Sequence, residues 1–191
     1  MKVLTFGEIM LRLRAPWHER LFQSGSLEAT FGGGEANVAV SLANYGVDVE
    51  YFTILPDNTI ADACVRELRK FGVDTRKIQR GEGRMGLYFL EAGSNQIPSR
   101  VVYDRAYSAI SLADPASVDW KTVLAGRDWF HISGITPAIS RTAMELSLAA
   151  VHTAKEMGLT VSCDFNYRNS LWKYEGADVK KTMSQLLTCV D

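Results

Sequence analysis

The chain has 191 residues, of which 47% are hydrophobic, and a formal net charge of −1 at neutral pH. That length suits one domain or slightly more around an ordinary apolar core, and the near-neutral charge excludes the electrostatic footprint of a nucleic-acid or anionic-membrane binder. Cys64, Cys163 and Cys189 are widely spaced with no CxxC pair, and three histidines accompany them, so the pattern indicates neither a disulfide framework nor a zinc site and reads as buried, reduced thiols.

Val3 to Gly7 is a short apolar run ending in glycine, as expected of a buried central strand, and Met10 to Leu13 alternates as a half-exposed strand does. Gly32, Gly33 and Gly34 then lead directly into a helix over residues 35–45. Val49 to Leu55 reads as extended. Asp57 to Phe71 reads as a helix with Cys64, Leu68 and Phe71 on its inner face, and Gly72 stands where it should stop. This is βαβ grammar. Met85 to Glu91 and Arg100 to Asp104 break it: both are strand-like, joined by the polar loop Ala92 to Gln96, and are expected to form an inserted antiparallel flap. The alternation resumes with strand Trp129 to Ser133, a helix over Arg141 to Met157 with Met144, Leu148, Val151 and Ala154 inward, and strand Thr160 to Asp164. Val179 to Val190 reads as a helix leading toward a further strand. No apolar run approaches the roughly 20 residues that span a bilayer, and the N-terminus lacks the basic, apolar and small-residue progression of a signal peptide. The expectation is a cytoplasmic protein.

Ligands of open α/β sheets bind beyond the carboxyl ends of the strands, so polar residues at those ends are the candidates. The triple glycine allows close backbone approach, the helix behind it offers N–H groups, and Glu35 and Asn37 add polar atoms in its first turn. The strand from Thr160 delivers Asp164, Asn166, Tyr167 and Arg168; the strand from Trp129 delivers Ser133 to Pro137; the flap adds Tyr88, Tyr103 and Arg105. Two arginines and two tyrosines around a glycine cradle suit a hydroxylated anion. Each has a plainer alternative: a surface ion pair for Arg168, sheet packing for the tyrosines, an edge charge for Arg105, a turn cap for Glu8 and simple packing for His131. Gly7 is not followed by the glycine spacing of a dinucleotide fingerprint.

The segment Gly32-Gly33-Gly34-Glu35-Ala36-Asn37-Val38-Ala39-Val40 and its continuation to Gly46 resembles the first signature of the ribokinase-like (PfkB) carbohydrate kinases. Met85 to Tyr88, Tyr103 to Arg105, His131 to Ala138 and Asp164 to Arg168 are similar to the 2-keto-3-deoxygluconate kinase branch of that family. The resemblance implies a ribokinase-like α/β/α sandwich with an antiparallel β lid built from about residues 10–31 and 85–107. It implies that Gly33, Gly34, Glu35, Asn37, Tyr88, Tyr103, Arg105, Ile135 and Arg168 contact the sugar acid, and that Asn166, Tyr167 and Arg168 approach the nucleotide. The cosubstrate would be ATP with Mg2+, and copies would associate through the lid, covering an apolar face that includes Leu87 and Val101. The runner-up readings are a fructokinase or ribokinase, or a non-catalytic sugar-acid-binding fragment. The family's second signature, of the Gly-x-Gly-Asp type with its catalytic aspartate, does not occur in the sequence, nor does a Walker motif. The expectation is an N-terminal part of a kinase, with no catalytic base or metal ligand of its own.

Overall fold

The computed structural model describes residues 1–191. In chain order the strands are β1 (Lys2–Phe6), β2 (Met10–Arg14), β3 (Glu28–Gly32), β4 (Asp48–Phe52), β5 (Ile54–Pro56), β6 (Gln79–Gly81), β7 (Leu87–Glu91), β8 (Arg100–Asp104), β9 (Trp129–Ser133) and β10 (Thr160–Asp164). The helices are α1 (Gly34–Asn44), α2 (Thr59–Lys70), α3 (Ala109–Leu112), α4 (Trp120–Leu124), α5 (Thr136–Ile139), α6 (Arg141–Glu156) and α7 (Val179–Leu187).

The main sheet runs β10-β9-β1-β4, all parallel, which puts β1 in its interior as the apolar run predicts. Successive side chains of a strand point to opposite faces, so each strand feeds two cores. Leu4, Phe6, Phe52, Phe130 and Val161 join Trp120, Leu146 and Leu186 on one side, while Val3, Val49 and Tyr51 join Ala36, Ala39, Cys64 and Leu68 on the other. Trp120 anchors the first core, meeting Phe6 edge-on at 4.9 Å and Phe52 at 5.3 Å between ring centroids. The result is an α/β/α sandwich. No helix is long and apolar enough to cross a membrane.

Local signals set the helix limits. The Asn58 side chain accepts the Ala61 N–H at 3.0 Å to open α2, and Gly72, at φ +81°, follows its end. Ser140 caps α6 in the same way, accepting from Ala143 at 3.1 Å. Two inward faces differ from expectation. Phe71 caps α2 rather than continuing its buried stripe, and is 43% exposed. The inner face of α6 is Ala143, Leu146, Ser147, Ala150, Val151 and Ala154, with Met144 and Leu148 only at its margins. Small residues at the centre let α6 lie close to the sheet, and the larger ones fill its flanks.

The second sheet, ordered β3-β2-β7-β8, forms the lid. Its outer pairs are antiparallel as expected, but β2 and β7 pair in parallel, so the lid is a mixed sheet made of two hairpins. Register also corrects the expected association face. Val101 lies opposite Leu90, whereas Leu87 lies opposite Asp104, so Leu87 and Val101 point to opposite sides of the lid.

Candidate functional site

Between the lid and the ends of β1 and β9 lies a cavity of about 180 Å³ lined by Glu8, Met10, Gly32, Gly33, Gly34, Glu35, Asn37, Tyr88, Tyr103, Arg105, Ile135 and Asn166. The glycines are required by proximity. A Cβ at Gly33 would come within 2.2 Å of the Glu8 carbonyl oxygen, because the chain returning from the lid crosses the end of β1 there. Gly33 also precedes α1 without a side-chain cap, which leaves first-turn N–H groups for a ligand.

Glu35 forms the floor rather than an open contact. It is buried, and its Oε1 accepts from the Ser133 N–H at 3.0 Å, the Ser133 hydroxyl at 2.7 Å and the Thr136 hydroxyl at 3.0 Å. Burial raises its pKa above the ordinary glutamate range, against the lowering effect of those hydrogen bonds. The carboxylate thus ties the start of α1 to the end of β9, and Gly7 accommodates it: a Cβ there would lie 2.2 Å from the Glu35 carboxyl carbon.

The lid supplies the opposite wall. Tyr88 and Tyr103 face each other across β7 and β8 with ring centroids 5.8 Å apart, and the Arg105 guanidinium lies 5.7 Å from the Tyr103 ring centroid. Burial pushes the Tyr88 phenol up, opposed by the nearby Arg12 guanidinium. Arg105 donates to the Glu8 carboxylate; Glu8 is buried and Arg105 largely so. Glu8 Oε1 and Arg105 Nε have no partner of their own, which leaves one acceptor and one donor of this pair for a bound molecule.

The remaining candidates divide. Asn166 reaches the cavity from a left-handed backbone at φ +34°, with its N–H held by Asp164 Oδ1 at 3.0 Å. Tyr167 and Arg168 do not line the cavity. Both stand exposed on the loop after β10, where Arg168 donates to the Tyr167 carbonyl at 3.3 Å and the Tyr167 hydroxyl to Asn169 at 3.1 Å. No cluster of three or more His, Cys, Asp or Glu side chains forms a metal site. His131 is a packing residue beside Ser162, at 2.9 Å, and burial lowers its pKa. Sequence reasoning missed Met10 and the neighbourhood of Arg12, although the alternation from Met10 to Leu13 places Arg12 on the face of Met10; Gly32 lines the cavity as part of the expected triple-glycine cradle.

The whole chain, residues 1–191, matches the model of the pfkB family carbohydrate kinases. The chain belongs to that family. Among curated pfkB relatives it is 36% identical over 192 residues to the 2-dehydro-3-deoxygalactonokinase of Haloferax volcanii, a match that takes in 100% of this chain and 59% of that protein. It is 28% identical over 199 residues to the 2-dehydro-3-deoxygluconokinase of Bacillus subtilis, again over 100% of this chain and 59% of the relative. The crystal structure of the Thermotoga maritima 2-dehydro-3-deoxygluconokinase superposes with a TM-score of 0.94 at 52% identity, covering 100% of this chain and 58% of that one. The pfkB chain described here therefore spans about 59% of the length of those curated relatives.

Proposed function

We propose that this chain forms the sugar-acid-binding part of a kinase that moves the γ-phosphoryl group of ATP to the terminal hydroxyl of 2-keto-3-deoxygluconate or a close relative, with Mg2+ entering on the nucleotide. The observation that carries this reading is the convergence of Gly33, Gly34, Asn37, Tyr88, Tyr103, Arg105 and Ile135 on one cavity, in a chain whose relatives are named for dehydro-deoxy sugar acids. First-turn N–H groups, an amide and two phenols match a polyhydroxylated carbon chain. On this reading ATP enters on the side of Asn166, and the Arg168 guanidinium, exposed on the same loop, meets its triphosphate; the exposure of Arg168 supports this. Phosphoryl transfer depends on holding two oxygens in line and neutralising phosphate charge. The sequence has no Gly-x-Gly-Asp segment, so the chain by itself should bind without turnover.

A fructokinase or ribokinase reading draws on one observation: Glu8 compensates Arg105, so that pair offers no net charge to a substrate. Calorimetric titration of the purified chain separates the two. The sugar-acid reading expects saturable binding of 2-keto-3-deoxygluconate at least about tenfold tighter than fructose, the value of one charge-assisted hydrogen bond. Equal affinity would move the assignment to a neutral sugar. ATP-dependent phosphorylation by a preparation free of host kinases would overturn the claim of binding without turnover.

A further inference from the structure

A sugar acid needs a cation that no protein carboxylate already satisfies, and Arg105 is held by buried Glu8. Arg168 is exposed on the loop after β10, where it donates to the Tyr167 carbonyl. The lid carries a third arginine. Arg12 lies opposite Tyr88 on β7 and opposite Thr30 on β3, and Tyr88 in turn lies opposite Tyr103, so register places Thr30, Arg12, Tyr88 and Tyr103 in one row on one face of the lid. That is the cavity face, since Met10, two residues before Arg12, and both tyrosines line the cavity. Arg12 is half-buried and forms no ion pair; its Nε donates to the Thr30 hydroxyl at 2.8 Å, a neutral partner that orients the guanidinium without cancelling its charge.

The geometry points to Arg12, which stands outside the cavity lining but in the same lid row as the lining residues Tyr88 and Tyr103, as the residue that recognises the substrate carboxylate, with the Arg105–Glu8 pair serving the hydroxyls. This rests on the sugar-acid reading above and names its specificity determinant. With Nε on the Thr30 hydroxyl and its terminal end beside the Tyr88 hydroxyl, the planar guanidinium is oriented to offer its remaining donors to a carboxylate. Tyr88, beside it, would donate its hydroxyl to the same end of the ligand. The two arginines then have separate tasks: one discriminates charge, the other orients the chain of hydroxyls.

The test uses the 191-residue chain, with 2-keto-3-deoxygluconate and fructose as probes in parallel titrations followed by NMR or calorimetry. Arg12→Gln is expected to lower affinity for the acid about tenfold or more while leaving fructose unchanged, and Arg12→Lys to retain part of the preference. Thr30→Val, which keeps the charge but frees it, is expected to cost the acid a few-fold and fructose nothing. Adding salt should weaken the acid in the unmutated chain and have little effect in Arg12→Gln. The inference is overturned if Arg12→Gln leaves the acid unaffected or weakens both sugars equally, or if Arg105→Gln alone abolishes the preference. An unmutated chain with no preference for the acid would sink the sugar-acid reading itself, before any variant is compared, and this inference with it.

Discussion

Arg105, at the end of the lid, reaches the carboxylate of Glu8, which follows the first strand of the sandwich; Glu8 is buried and Arg105 largely so, and 97 residues separate them in sequence. This pair is the polar bolt between the two sheets. Its desolvation cost is recovered only while both partners are present. Glu8→Ala should therefore destabilise the chain by about 3–5 kcal/mol, whereas the paired replacement Glu8→Met with Arg105→Met should cost much less. Urea denaturation of the single and double variants checks this, and equal losses would show that the pair does not act as a unit.

Glu35 makes stability depend on pH. Its folded-state pKa is raised above 4.5 by burial, so the folded chain binds its proton more readily than the unfolded chain does. The contribution is present below the ordinary glutamate pKa and is lost as pH rises through the elevated one. Glu35→Gln keeps an acceptor oxygen for Ser133 and Thr136 and removes the titration. Its denaturation free energy should be flatter across the weakly acidic range, and the variant should gain on the parent as pH rises toward neutrality. Identical pH profiles for the two chains would contradict the assignment.

Gly33→Ala should both strain the cradle and close it. The new methyl would meet the Glu8 carbonyl at 2.2 Å, backbone that cannot swing aside. Overpacking of this kind costs typically about 1–3 kcal/mol. Loss of sugar-acid binding beyond tenfold, with a lowered thermal midpoint, is the expected pair of results, read by calorimetry and thermal melting.

Arg168→Ala should leave sugar-acid affinity within about twofold and weaken ATP binding about tenfold, since the side chain lies outside the cavity lining and its charge faces solvent. Titration of the variant with each ligand separately decides it. A large loss for the sugar acid would mean that the loop after β10 folds over the cavity on binding.

Val102 on β8 is 56% exposed and shares a face of the lid with Phe89 and Leu13, against which Phe22 leans at 6.4 Å from the Phe89 ring. We propose that a second copy covers this face. Val102→Asp should then shift the mass found by light scattering toward the monomer, and a parent chain that is monomeric at high concentration would refute it.

Local chemistry made much of this legible. Gly72 and Gly158 end helices because each takes a positive φ, and the apolar run from Val3 reads as a central strand because both its faces are covered. The glycine cradle and the lid tyrosines carry their own signatures. The Glu8–Arg105 pairing and the parallel register of β2 with β7 depend on contacts made far along the chain, and no local pattern encodes them. Glu35 shows the limit differently: its residue type announced a polar role, but only the position of Ser133 and Thr136 shows that the role is internal. Arg12 was readable in principle from period-two alternation, yet a lone arginine in a half-exposed strand resembles any solubilising charge.

The parallel pairing of β2 with β7 also orders events in time. Leu11 cannot meet Leu87 until the segment between them, which includes α1, β4 and α2, has compacted and brought the two ends together. The strands joined there are half-buried to exposed, whereas β1 and β9 are mostly buried and already pair across a longer stretch of chain, so the lid should be the first sheet to open. Amides of β7 and β8 should then lose hydrogen-exchange protection in a sub-global opening that leaves β1 and β9 intact. A sugar acid held between the sheets would slow that opening, so ligand occupancy could be read from the exchange rates of strands that hold only one side of it.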